Sequence, residues 1–161
     1  LHLKKIPPIP VTFFILLFLK YSNFGAKLMM RKVLGIFVGV ILCVLLILGA
    51  EVLSHLMYTP PAGIDPTDME QLKAQLKEVP VVVLLWVVLG HFVALFCGNW
   101  VGLKISGGHR PTAYTISGIM ALMVVFNSIA LLHPLWFVIL DGLAVLLALV
   151  LPLKLVPEKT T

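Results

Sequence analysis

The chain has 161 residues, 60% of them hydrophobic and only 12% charged, and a formal net charge of +5. Soluble domains carry about 25% charged residues, so no ordinary water-facing surface can be built from this composition. The positive charge does not mark a nucleic-acid partner either. Lys and Arg flank apolar runs instead of gathering on one polar face, which is how topology is written in membrane proteins, and anionic lipid headgroups are their natural partner.

Residues 1–28 come first. Met29-Met30-Arg31-Lys32 sits directly before a long apolar run and reads as the beginning of the membrane domain. Residues 1–28 are therefore read as a non-core extension: an over-extended start, a translated upstream region or a variable leader. Within them Ile9–Leu19 is apolar but, at 1.5 Å per residue, covers about 17 Å against a hydrocarbon core of about 30 Å. No convincing small-residue cleavage site follows it, so it is read as interfacial or absent from the core.

Four longer runs follow, Val33–Ala50, Pro80–Leu103, Ala113–Leu132 and Pro134–Val150. Each can supply the roughly 20 apolar residues that a spanning helix needs. Transmembrane strands alternate and cross in about 9–11 residues, so these runs are helices, placed at about 33–52, 80–103, 113–132 and 134–153. The fold class is an all-α membrane protein. Residues 29–161 form one antiparallel four-helix transmembrane bundle with a short amphipathic helix in the first outer loop.

The first span carries Gly35, Gly39 and Cys43 at four-residue spacing, and Glu51 and His55 one turn apart at its outer end. The loop after it opens with Tyr58-Thr59-Pro60-Pro61, a stiff extended exit. Asp65-Pro66-Thr67-Asp68 reads as a helix start, with Asp65 as cap and Pro66 at the first helical position. Met69, Leu72 and Leu76 then form an apolar stripe, and Glu70 and Lys73 can pair. The helix is read as a connector over the bundle; a docking surface is the alternative.

The second span carries Gly90, Ala94, Gly98 and Gly102, again four apart, with Ser106 one step beyond. Small residues at this spacing let another backbone approach closely, within one bundle or across a homodimer seam. His91 lies mid-span and Asn99 nearer the inside. The third span offers Ser117 and Ala121 as small residues and Asn127 near its outer end; His133 lies in the tight turn that follows. The fourth carries Asp141 two turns in, with Ala144 and Ala148 beyond. Cys43 and Cys97 fall inside spans at different depths, which argues against a disulfide.

Charge sets the orientation. With Arg31 and Lys32 inside, Lys27, Lys104, Arg110, Lys154 and Lys159 share their side, against Lys73 and Lys77 outside. Both termini are then cytoplasmic in the inner (plasma) membrane. Tyr58 and Trp136, and Trp100 and Tyr114, serve as interface anchors at the two edges.

Asp141 is the leading candidate for function, because an ionisable group at that depth costs several kcal/mol unless paired, protonated or wet. Asn127 is expected at similar depth, within hydrogen-bonding range, and His91 somewhat deeper. Asp141, Asn127 and His91 form either a polar clamp between helices or a proton or cation path. Glu51, His55 and His133 form an outer polar group; as a metal site they match no known spacing, and no metal or cofactor is expected. No phosphate loop, HExxH, GxSxG or CxxC is present, so no catalytic residues are assigned.

The stretch Gly49-Ala50-Glu51-Val52-Leu53-Ser54-His55 through Tyr58-Thr59-Pro60-Pro61-Ala62-Gly63-Ile64-Asp65, with His133-Pro134-Leu135-Trp136, resembles a group of small uncharacterised bacterial four-span membrane proteins, over residues 29 to about 155. The resemblance implies a four-span fold and brings no activity or site. Small multidrug transporters also have four spans but carry a glutamate inside the first; here Glu51 is at its outer end, which argues against membership. The expectation is a small accessory or scaffold subunit without catalysis, with a proton- or cation-coupled transporter or channel using Asp141 as the alternative.

Overall fold

The computed structural model describes residues 11–58, 68–76, 78–131 and 133–158, with side chains from Gly25 onward. Among the described residues all five regular elements are helices: α1 Val11–Met57, α2 Met69–Leu76, α3 Val81–Ser106, α4 Arg110–Leu131 and α5 Leu135–Leu155. Four are long and apolar enough to cross a membrane, α1 through its portion Gly25–Met57. The protein is a multi-pass helical membrane protein.

Helix α1 begins at Val11, well before the expected span. No proline interrupts Val11–Met57, and a lone glycine such as Gly25 weakens a helix by only about 1 kcal/mol. Its 47 residues would measure about 70 Å, more than twice the ~30 Å hydrocarbon core. Most of Gly25–Met30 is exposed, so this part of α1 runs past its partner helices.

The other boundaries follow from local chemistry. Pro80 and Pro134 precede the first turns of α3 and α5, where a missing N–H does no harm. At the far end of α3, Gly107 and Gly108 adopt φ of 75° and 85°, and both N–H groups donate to the Leu103 carbonyl. Only glycine takes two successive left-handed residues without strain, so α3 turns into α4 within three residues. The Asp68 carboxylate accepts from the Glu70 and Gln71 N–H groups at 3.0 and 3.2 Å, and Lys73 pairs with Glu70 at 3.0 Å. Asp68 thus caps α2. The expected extended exit at Thr59–Gly63 and the cap at Asp65-Pro66 lie outside the described residues.

Helix α3 is the axis of the assembly: it packs on α1, α4 and α5, most extensively on α1. The small-residue spacing explains that contact. A Cβ added to Gly35 would lie 2.7 Å from the Gly102 carbonyl oxygen, and one on Gly39 2.8 Å from that of Gly98. One on Gly90 would lie 2.7 Å from the Ala50 Cβ. Both glycine ridges are thus used within one chain, backbone against backbone.

Burial is uneven along the helices. On α5 it runs the whole length, through Phe137, Asp141, Ala144, Val145, Ala148 and Pro152. On α1, among the described residues, it stops at Cys43, and on α4 no residue between Met120 and Ser128 is buried. The four long helices are closely joined near the Gly107 turn. Toward the His133 turn, α1 and α4 leave a gap between them.

Candidate functional site

The gap between α1 and α4 is a cleft of about 400 Å³. Val40, Val44 and Ile47 of α1 and Met120 and Val124 of α4 line its apolar length; Glu51, His91 and Asn127 line its polar end. The same three polar residues also border a second cavity of about 270 Å³, toward α2 and the His133 turn. That cavity adds His55, Tyr58 and Ser54 of α1, Gln75 of α2, and His133. His91 and Asn127 of one polar group and Glu51, His55 and His133 of the other therefore border one recess at the His133 end.

Asp141 stands behind this recess, not in it. It is 1% exposed, on the face of α5 that meets α3. With Asp141 ionised, His91 Nδ1–H donates to it, 2.9 Å to Oδ1 and 3.1 Å to Oδ2. The His91 ring is small-scale exposed (13%) and lines both cavities. One imidazole thus joins a sealed carboxylate to an open recess. The pairing also answers the desolvation problem, because a buried carboxylate without a partner costs several kcal/mol.

Asn127 does not join that pair. Its side chain is exposed and makes no hydrogen bond among the described residues. Depth alone suggested a bond to Asp141, but azimuth decides. Asn127 lies on the α4 face that carries Met120 and Val124 toward α1, whereas Asp141 faces α3.

The outer group is drawn together only in part. Glu51 and His55 are exposed, and the Glu51 carboxylate has no hydrogen bond or ion pair among the described residues. His133 stacks on Phe137 with ring centroids 4.6 Å apart, and its Nδ1 is buried without a partner among the described residues. Burial pushes the His133 pKa below 6.5; the Ser128 backbone and Asp141 oppose the shift and His91 adds to it. Glu51, His55 and His133 border one cavity, yet no group of three or more His, Cys, Asp or Glu side chains among the described residues is arranged to hold a metal ion.

A second polar feature joins Asn99, placed by the sequence near the inner end of its span but given no partner there, to a proline of α5. Pro152 lies inside α5 and has no N–H, so the Ala148 carbonyl four residues earlier loses its helical donor. Asn99, fully buried on α3, supplies the replacement: its Nδ2 donates to Ala148 O at 3.2 Å and to Ser117 Oγ of α4 at 2.8 Å. One amide ties three helices. The signal was present, since a proline inside an apolar run always frees a carbonyl that lipid cannot satisfy. Trp86, whose Nε1–H donates to Ala50 O at 3.2 Å, likewise links α3 to α1.

The two cysteines are free. Cys43 Sγ donates to the Ala94 carbonyl at 3.3 Å and fills the glycine seam beside Gly98. No protein-family model, curated protein or solved structure matches this chain.

Proposed function

We propose that this chain is a small accessory or scaffold subunit of the inner (plasma) membrane, without catalysis of its own. In this reading the long helices form an antiparallel transmembrane bundle with both termini cytoplasmic, and α2 is a short amphipathic helix on the outer surface. The pairings of Gly35 with Gly102 and Gly39 with Gly98, which run in opposite senses along α1 and α3, favour that arrangement. So does Leu76 of α2, which packs against the cluster of Leu84, Val88 and Phe137.

The single observation that carries the scaffold reading is the interhelical hydrogen bonding of two buried groups, the Asp141 carboxylate and the Asn99 amide nitrogen. Asp141 is bonded to His91 and Asn99 to Ser117 and Ala148. Groups engaged in this way fix helix positions, each interhelical bond contributing ~0.6–2 kcal/mol in a bilayer. The test is thermal unfolding of wild type and Asp141→Asn in one detergent near neutral pH. The scaffold reading expects the variant to be less stable; equal or greater stability would count against it.

A second reading, proton- or cation-coupled transport through Asp141, is favoured by the contact of His91 with both Asp141 and the open recess. It expects a pH-driven flux in reconstituted vesicles that Asp141→Asn abolishes. Absence of flux for protons, sodium and potassium would remove it.

A further inference from the structure

The cleft between α1 and α4 has a length, a polarity and a charge that select an occupant. Its apolar stretch begins at Val40 and its polar end is at Glu51. These residues are eleven apart, which on a helix is about 16 Å. That is about half the ~30 Å hydrocarbon core, the depth of one leaflet. Its lining residues Val44, Leu48, Ile119 and Met123 are exposed, so in a bilayer lipid reaches them.

The polar end distinguishes among headgroups. Glu51 carries a carboxylate with no partner among the described residues, and beside it the exposed Asn127 amide is likewise without one. Among the described residues no Lys or Arg lines either cavity, so nothing there recommends an anionic head. Burial keeps His133, which borders the second cavity, toward its neutral form. A quaternary ammonium is best held by several aromatic faces; among the described residues no Phe, Tyr or Trp lines the 400 Å³ cleft, and Tyr58 alone borders the second cavity. A primary ammonium fits: three N–H donors, one positive charge, and charge-assisted hydrogen bonds to a carboxylate.

We propose that the α1–α4 cleft is a lipid site, holding one acyl chain of a bilayer phospholipid along Val40, Val44 and Ile47 while Glu51 binds its primary ammonium headgroup. The site requires only that the helices span a bilayer. It holds whether the protein is a scaffold or a transporter.

The test is retention of lipid by the intact protein. The full chain is extracted from vesicles of equal parts phosphatidylethanolamine, phosphatidylglycerol and phosphatidylcholine, and weighed by native mass spectrometry. One phosphatidylethanolamine is expected to remain, favoured about tenfold over each of the others, the ratio equivalent to about 1.4 kcal/mol. Glu51→Gln should bring the three lipids to parity and Glu51→Asp should keep the preference. Val44→Trp, at a half-exposed position that fills the cleft, should lose all bound lipid at an unchanged unfolding temperature. Equal retention of the three lipids by wild type, a preference for phosphatidylglycerol or phosphatidylcholine, or a phosphatidylethanolamine preference that survives Glu51→Gln would each overturn the proposal.

Discussion

The two ends of this bundle solve the same problem with different residues. Near the Gly107 turn, glycines on α1 and α3 bring backbones into contact, and Ile116 of α4 closes over the seam beside Gly39 and Gly102. Near the His133 turn, α3 and α5 remain joined through Leu84, Val88, Phe137 and Ala144, but α1 and α4 offer large exposed side chains such as Leu48, Met123 and Phe126. Lipid tails are as apolar as leucine, so no hydrophobic force closes such a gap in a membrane. Helices stay close where small residues or hydrogen bonds hold them, and open clefts where neither is present.

The strongest way to break this contrast is to enlarge a glycine at the tight end. A side chain on Gly98 would strike Cys43 Sγ and the Gly39 carbonyl. Gly98→Leu should destabilise the protein by about 3 kcal/mol or more, or prevent folding, as read from denaturant unfolding in detergent. Gly142, where an added Cβ meets nothing within 4 Å outside its own helix backbone, is the control: Gly142→Ala should be neutral or stabilising by up to about 1 kcal/mol. Equal effects at the two sites would dismiss the close-packed seam.

The next largest effect is expected at the junction of the two ends. His91→Ala leaves the Asp141 carboxylate buried without its donor, a change of about 3 kcal/mol in comparable buried pairs. The loss should appear as a lower unfolding midpoint, and His91→Gln should recover part of it.

The Asn99 tie supports a sharper experiment. Asn99→Leu should cost about 1–2 kcal/mol, because it strands the Ala148 carbonyl. Pro152→Ala restores a helical N–H to that carbonyl, so in that background the Asn99→Leu penalty should shrink. A double-mutant cycle measures the difference, and strict additivity would show that the carbonyl is not what Asn99 serves.

The smallest effect concerns pH at the open end. Burial depresses the His133 pKa in the folded protein below 6.5, so between the folded and unfolded values the unfolded chain binds more protons. Stability contributed by neutral His133 is therefore complete above the unfolded pKa and is lost as pH falls through 6.5 toward the folded value. His133→Phe should flatten that part of the stability profile. An unchanged profile would show that His133 titrates alike in both states.

Much of this was legible residue by residue. Apolar length marked the long helices. Four-residue spacing marked Gly35, Gly39, Gly98 and Gly102 as packing positions, although not which helix would meet which. Asp141 was recognisable as a group needing a partner, since an acid inside an apolar run is conspicuous in one dimension. Asn127 looked equivalent by depth and is not, because depth follows from residue count while azimuth depends on how α4 rotates against α1. Asn99 was visible as a buried amide, but its use depends on Pro152, fifty-three residues away and joined to it only through packing.

What the sequence determined by itself is therefore local: helix length, membrane-spanning capacity, turns and caps, and the polar groups that lipid cannot satisfy. Each rests on forces acting within a few turns, namely backbone hydrogen bonding, burial of apolar runs and glycine or proline dihedrals. The tertiary structure alone decided that His91 is the partner of Asp141, that the glycine ridges meet within one chain, and that α1 and α4 part to leave a cleft ending at Glu51. These are outcomes of helix rotation and crossing, set by the sum of many weak side-chain contacts across α1, α3, α4 and α5.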